Sequence, residues 1–271
     1  MKDIAVAALA ASVALGTCAE TTEREPLKVL MIGNSFSLSC MSYLPNVAKS
    51  LGEPLDIASL YIAGCPLNKH WDNIKAAETN AEFRPYRYDR KICGKPVATR
   101  ETRNIPDALV EAKWDIVTVQ QASGKSWMAE TYYPYGDDLV EYVRRHAPQA
   151  KIVVQETWSY TPWDKRLKKF GFDQAEMYTR LHGAYHEFAG KYGLDVIPVG
   201  TAAERCPDRN SLFTKPDFHF NHGEGEYLQA LVWAAKLFDV DVRACGYRPP
   251  KLTAARADVL KAAAMSAVQG K

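Results

Sequence analysis

Residues Lys28-Val29-Leu30-Met31-Ile32 form an apolar run that ends in Gly33-Asn34-Ser35-Phe36-Ser37. Such a run, closed by a glycine, reads as a buried strand with a turn at its carboxyl end. In open α/β sheets, ligands bind at the carboxyl ends of strands. A serine at that turn has its hydroxyl in the crevice and its N–H near the start of the next helix. That placement suits a serine that attacks an ester while its own N–H holds the oxyanion. A turn serine that only caps the helix fits the same tripeptide.

The far end of the chain supplies what such a serine needs. Asp217-Phe218-His219-Phe220-Asn221-His222-Gly223-Glu224-Gly225-Glu226 puts an acid and a histidine ahead of an amphipathic stretch. A nucleophilic serine requires a base to take its proton and a carboxylate to orient that base.

Together these segments resemble the SGNH/GDSL hydrolases, and most of all a poorly characterised bacterial branch with a Gly-Asn-Ser-Phe-Ser first block. Gly33 to Ser37 stands for the first block and Ala63-Gly64-Cys65-Pro66-Leu67 for the second. Asp217, His219 and Asn221 stand in the last block, so the likeness spans residues 27–240. The resemblance implies a three-layer α/β/α fold, a flavodoxin-like doubly wound parallel sheet of five strands. It implies Ser35 as nucleophile, His219 as base and Asp217 as the orienting acid. Oxyanion donors would be the N–H groups of Ser35 and Gly64 and a side-chain amide. The family's third-block asparagine is absent, and Val119-Gln120-Gln121-Ala122 stands there, so Gln121 or Gln120 would supply that amide. The family's Asp-x-x-His is shortened to Asp217-x-His219, which leaves His222 as a rival base. Asn34, His70, Gln120 and Trp158 are expected to line the substrate pocket.

The chain of 271 residues is 47% apolar and 24% charged, an ordinary globular composition. Its net charge of +2 gives no sign of a nucleic-acid partner. Residues 4–17 are an uncharged apolar run, too short for a comfortable membrane span and suited to a secretory signal. An extracytoplasmic protein, periplasmic or secreted, is therefore expected. Leu15-Gly16-Thr17-Cys18 loosely resembles a lipoprotein box, which would anchor the chain to a membrane through Cys18. The expected organisation is a signal at 1–19, a linker at 20–26, the hydrolase-like domain at 27–250 and a helical tail at 251–271. A monomer is expected. Six cysteines without a Cys-x-x-Cys speak against a zinc or redox motif.

Strands are expected at 27–33, 55–62, 114–119, 151–155 and 194–199, alternating with helices such as 41–51, 136–146, a long one capped by Asp173 and 225–238. Phe83–Asn104, rich in Arg and Tyr, reads as an excursion, a hairpin that could overhang the site. His182 and His186 share a helix face at a spacing that can bind metal, but no HExxH accompanies them and no metal site is expected. Trp127, Tyr132, Tyr133, Tyr135, Trp158, Tyr160 and Trp163 follow the third and fourth strands and could stack on sugars.

The expectation is an exported serine esterase for small acetyl-type esters, with carbohydrate as the carrier and no metal or organic cofactor. The alternatives are a lipase or thioesterase, or a carbohydrate-binding protein that has lost turnover.

Overall fold

The computed structural model describes residues 24–270. The expected signal at 1–19, with Cys18, and residues 20–23 of the expected linker lie outside the described residues.

The strands are β1 (Leu27–Gly33), β2 (Leu55–Tyr61), β3 (Tyr86–Ile92), β4 (Lys95–Arg103), β5 (Ile116–Val119), β6 (Lys151–Glu156) and β7 (Asp195–Pro198). They form one sheet in the order β4-β3-β2-β1-β5-β6-β7. The run β2-β1-β5-β6-β7 is parallel throughout, as expected of the doubly wound core. The sheet as a whole corrects the five-stranded expectation. The hairpin β3–β4 extends the β2 edge in antiparallel sense instead of overhanging the site. Its charge is spent on that edge: Arg90 grips Asp56 of β2 with Nε–Oδ1 at 2.9 Å and Nη2–Oδ2 at 2.6 Å, while Tyr86 and Tyr88 are buried. A two-pronged guanidinium–carboxylate contact fixes orientation as well as charge.

The helices are α1 (Ser35–Leu38), α2 (Leu44–Ser50), α3 (Leu67–Thr79), α4 (Ile105–Glu111), α5 (Tyr135–His146), α6 (Lys165–Phe170), α7 (Gln174–Tyr192), α8 (Val199–Arg205), α9 (Glu224–Phe238) and α10 (Ala254–Gln269). The helix expected over 41–51 starts later, as α2 at Leu44 with Pro45 in its first turn, after a 3-10 turn at Ser39–Ser42. Proline is tolerated only at a helix start, so a new helix begins there. The expected cap Asp173 does accept the Glu176 N–H at the head of α7, and Gly193 ends that helix at φ +63°.

Strand β1 shows why two helical layers are needed. Val29 and Met31 pack in one core with α2, α8, α9 and α10, and Leu30 and Ile32 in the other with α3, α4, α5 and α7. Every residue from Val29 to Ile32 is at most 1% exposed. Helix α9 is buried nearly all round, including Ala230, Trp233 and Ala234 outside its expected apolar face, because α10 lies against it.

Leu260 of α10 is fully buried in that core. Leu260→Ala is expected to lower unfolding free energy by about 2–5 kcal/mol, the range for a truncated core leucine. Urea denaturation checks this; an unchanged midpoint would mean that α10 does not contribute to the cooperative core.

Candidate active site

The end of β1 builds the first half of the site. Gly33 sits against Ser37, whose Oγ would lie 2.4 Å from any Cβ placed there. Asn34 follows in extended conformation and caps α1, its Oδ1 accepting from the Phe36 N–H at 3.0 Å. The same oxygen accepts from Gln120 Nε2 at 2.7 Å, and Asn34 Nδ2 donates to the Cys65 carbonyl at 3.2 Å. One buried amide thus ties together the loops after β1, β2 and β5. Ser35 is the first residue of α1. Neither its N–H nor that of Gly64 has a hydrogen-bond partner among the described residues.

The loop before α9 builds the second half. Phe213 and Phe220 form a bridge, Thr214 N–H donates to the His219 carbonyl at 3.0 Å, and Asn221 N–H to the Leu212 carbonyl at 2.8 Å. Asn221 Oδ1 also accepts from Glu224 N–H at 2.9 Å, capping α9. Trp158, from the loop after β6, backs this hairpin. Its ring stacks between Phe36 at 4.0 Å and Phe220 at 3.7 Å, and its Nε1 donates to the Phe218 carbonyl at 3.0 Å. Arg166 covers the outer side, its guanidinium 3.7 Å from the Phe218 ring centre.

The two halves meet. Ser35 Oγ is 2.9 Å from His219 Nε2, and His219 Nδ1 is 2.8 Å from Asp217 Oδ2. The shortened Asp-x-His spacing still works because Asp217 Oδ1 accepts from the Phe218 N–H at 2.6 Å, which turns its other oxygen to the imidazole. Burial pushes the Asp217 carboxyl up, but hydrogen bonds from His219 and the Phe218 N–H outweigh it and hold it below its ordinary value. His222, the rival base, is elsewhere: its Nδ1 pairs with Glu226 Oε2 at 2.6 Å, its ring stacks on Tyr43 and its side chain is 72% exposed.

A cavity of about 320 Å³ opens at this junction, lined by Ser35, Leu38, Ser39, Ser42, Trp158, His219, Phe220 and Glu226. Trp158 presents only an edge, being 1% exposed. Asn34, His70 and Gln120 do not line it, which corrects their reading as substrate contacts. Asn34 and Gln120 are buried behind the elbow as its scaffold. His70 is fully buried against Tyr86, with Nδ1 and the phenol oxygen 2.8 Å apart, and burial lowers its pKa to about 3. Gln121 is corrected too. Its Nε2 donates to Thr131 O and Oγ1, and its Oε1 accepts from Leu67 and Ala122 N–H, so the amide has nothing left for an oxyanion. Gly64 is an exposed turn residue at φ +60°, on the loop that Asn34 tethers through Cys65. Of the loop aromatics, Tyr132, Trp158 and Tyr160 are each 1% exposed and serve packing. Ser39, Ser42 and Glu226 were missed in the sequence; only their nearness to Ser35 and His222 in the chain marked them.

Because its pKa is depressed on folding, ionised Asp217 adds stability that is present above the ordinary aspartate value of 3.8 and is lost as pH falls through the depressed value. The difference in urea midpoint between the protein and Asp217→Asn is therefore expected to shrink on acidification through that range. A difference independent of pH would contradict the ionised Asp217–His219 pair.

Residues 28–267 match the family described as a domain of unknown function, DUF4886. No curated protein matches the chain. Among solved structures, a DUF4886 family protein from Bacteroides uniformis is similar, at 28% identity and a TM-score of 0.82, covering 90% of this chain and 95% of that one. A protein described as an SGNH hydrolase from Slackia heliotrinireducens follows, at 21% identity and a TM-score of 0.58, covering 79% and 100%. A lipase/acylhydrolase from Enterococcus faecalis is similar at 12% identity and a TM-score of 0.50, covering 78% and 95%. With the parallel core, the serine elbow and the histidine hairpin already described, these matches show that the chain belongs to the DUF4886 family and has the SGNH/GDSL hydrolase fold.

Proposed function

We propose that this protein is an exported serine esterase that cleaves small, acetyl-type acyl esters carried on a polar alcohol such as a carbohydrate. The observation that carries the reading is the continuous line from Ser35 Oγ through His219 to Asp217, with hydrogen bonds of 2.9 and 2.8 Å. Ser35 Oγ attacks the ester carbonyl while His219 Nε2 takes its proton. Asp217 orients the imidazole and stabilises the imidazolium. His219 then returns the proton to the leaving alcohol, and a water activated by the same nitrogen hydrolyses the acyl-serine. The N–H groups of Ser35 and Gly64 are the oxyanion donors in this reading.

The cavity supports a short acyl group on a hydroxylated carrier. Ser39, Ser42 and Glu226 offer polar atoms beside Leu38 and the ring edges of Trp158 and Phe220. A lipase would be better served by a long apolar channel. Export rests on the apolar run at residues 4–17.

Release of p-nitrophenol from p-nitrophenyl acetate tests the proposal. Ser35→Ala and His219→Ala are each expected to lower kcat/KM by about 10³-fold or more, and Asp217→Asn by up to about 10⁴-fold. His222→Ala is expected to retain activity within about twofold, because surface substitutions away from the reacting groups have small effects. Turnover by the unaltered protein no faster than that of Ser35→Ala, on this ester and on acetylated sugars, would overturn the esterase reading in favour of glycan binding without turnover.

A further inference from the structure

A second constellation lies where β6 ends between α7 and α8. Glu156, the last residue of β6, is fully buried, and its Oε2 lies 2.8 Å from His182 Nδ1 and 3.5 Å from His186 Nε2. The histidines are one helical turn apart on α7, their ring centres separated by 4.2 Å. We propose that Glu156, His182 and His186 bind a divalent transition metal ion of the zinc class.

Geometry is the first ground. The three ligand atoms all lie within 4.8 Å of one another. Zinc holds nitrogen and oxygen ligands at about 2.0–2.2 Å, so neighbouring ligands on a tetrahedral ion stand roughly 3.3–3.5 Å apart. The spacing needs only small side-chain adjustments. Two imidazoles and one carboxylate are ligands that favour zinc and its transition-metal neighbours over magnesium or calcium, which take oxygen ligands.

The second ground is that the carboxylate is held by a built support. Glu156 Oε1 accepts from Thr201 N–H at 2.6 Å and Thr201 Oγ1 at 2.9 Å, and the Tyr178 hydroxyl lies 2.9 Å from Thr201 Oγ1. Oε1 is thereby occupied and Oε2 turned to the histidines. Gly200 leaves room for this: a Cβ there would stand 2.2 Å from the Thr157 carbonyl and 2.9 Å from Glu156 Oε1. Such outer contacts fix ligand orientation in metal sites.

Access is the third ground. The side chains of His182 and His186 are 42% and 48% exposed, so an ion can enter from solvent and water can complete its coordination. On binding, the ion displaces the proton between His182 Nδ1 and Glu156 Oε2, which passes to solvent from an imidazolium or, for a neutral ring, is replaced by one on Nε2. None of the three residues lines the cavity at Ser35, so the ion is structural: two residues beyond Glu156, Trp158 carries the ring that backs the His219 hairpin.

The test uses the full chain without a histidine tag, stripped with a chelator. Calorimetric titration with Zn²⁺ and visible absorption after adding Co²⁺ are followed for the protein, for the His182→Ala/His186→Ala double variant, for His186→Gln and for His222→Ala. One ion per chain, tetrahedral Co²⁺ bands and a raised melting temperature are expected for the protein and for His222→Ala. Ligand loss in the double variant is expected to weaken Zn²⁺ binding by more than about 100-fold, beyond the cost of losing a supporting contact, and to remove the bands. His186→Gln, altered at a half-exposed position, is expected to fold and to bind more weakly, which keeps the test decisive if the double variant does not fold. Equal Zn²⁺ binding by the protein and by His186→Gln, or no binding by the protein, would overturn the proposal.

Discussion

The site depends on one buried side-chain amide. Asn34 is 1% exposed, and its oxygen and nitrogen reach the N–H of Phe36, the amide of Gln120 and the carbonyl of Cys65. Those partners belong to the loops after β1, β5 and β2, so the amide fixes three strand ends relative to one another. Asn34 also accepts through its own carbonyl from Ser37 and Leu38, which sets the first turn of α1 and with it the direction of Ser35. A buried hydrogen-bonded network of this kind specifies one arrangement, because each unpaired member would cost about 1–3 kcal/mol. The placement of Ser35 is therefore a property of the sheet, not of a mobile turn.

His219 is placed by packing of a different kind. Residues 184 apart in the chain meet at Ser35 and His219, and the hairpin carrying the histidine has one backbone bridge and few backbone hydrogen bonds. Its position comes from aromatic faces. Trp158 lies between Phe36, next to Ser35, and Phe220, next to His219, so one stack of rings registers both residues against each other. Aromatic pairing adds about 0.5–1.5 kcal/mol per pair beyond area burial, and it constrains distance and tilt as well. The shortened acid-to-histidine spacing is tolerated because Asp217 bends back onto the Phe218 N–H.

What could be read in the sequence followed from local chemistry. The apolar run of β1, the Asp173 cap and Gly193 stop of α7, and the parallel core announced themselves through spacing and turn residues. Ser35, His219 and Asp217 were proposed from the resemblance of their blocks, in that order, to those of the SGNH/GDSL hydrolases, since each residue taken alone fits an ordinary turn. The hairpin at 83–104 was legible, but its seat on the sheet edge was not, because the grip of Arg90 on Asp56 joins strands far apart in the chain. Gln121 was assigned to the oxyanion, and Gln120, Asn34 and His70 to substrate, on residue type and position; their partners are backbone and side-chain groups brought close only by tertiary folding. Similarly, His182 and His186 were visible as a pair, but the carboxylate between them comes from a strand 26 residues earlier than His182.

The two glutamines explain how this chain departs from the SGNH pattern. Here Gln120 reaches under the elbow to Asn34, and Gln121 reaches the other way to Thr131 and the start of α3. Both amides serve the scaffold, so in the proposed esterase charge stabilisation at Ser35 falls to backbone N–H groups. Loss of one oxyanion donor costs about 10²–10³ in kcat where it has been removed from a working site. A site with only backbone donors has to hold them rigidly, since backbone groups cannot turn to meet a developing charge. That requirement returns to Asn34, whose bond to Cys65 holds the loop of Gly64 against the elbow of Ser35. The same amide that positions the serine thus also positions the loop of Gly64, the oxyanion partner in the proposed esterase.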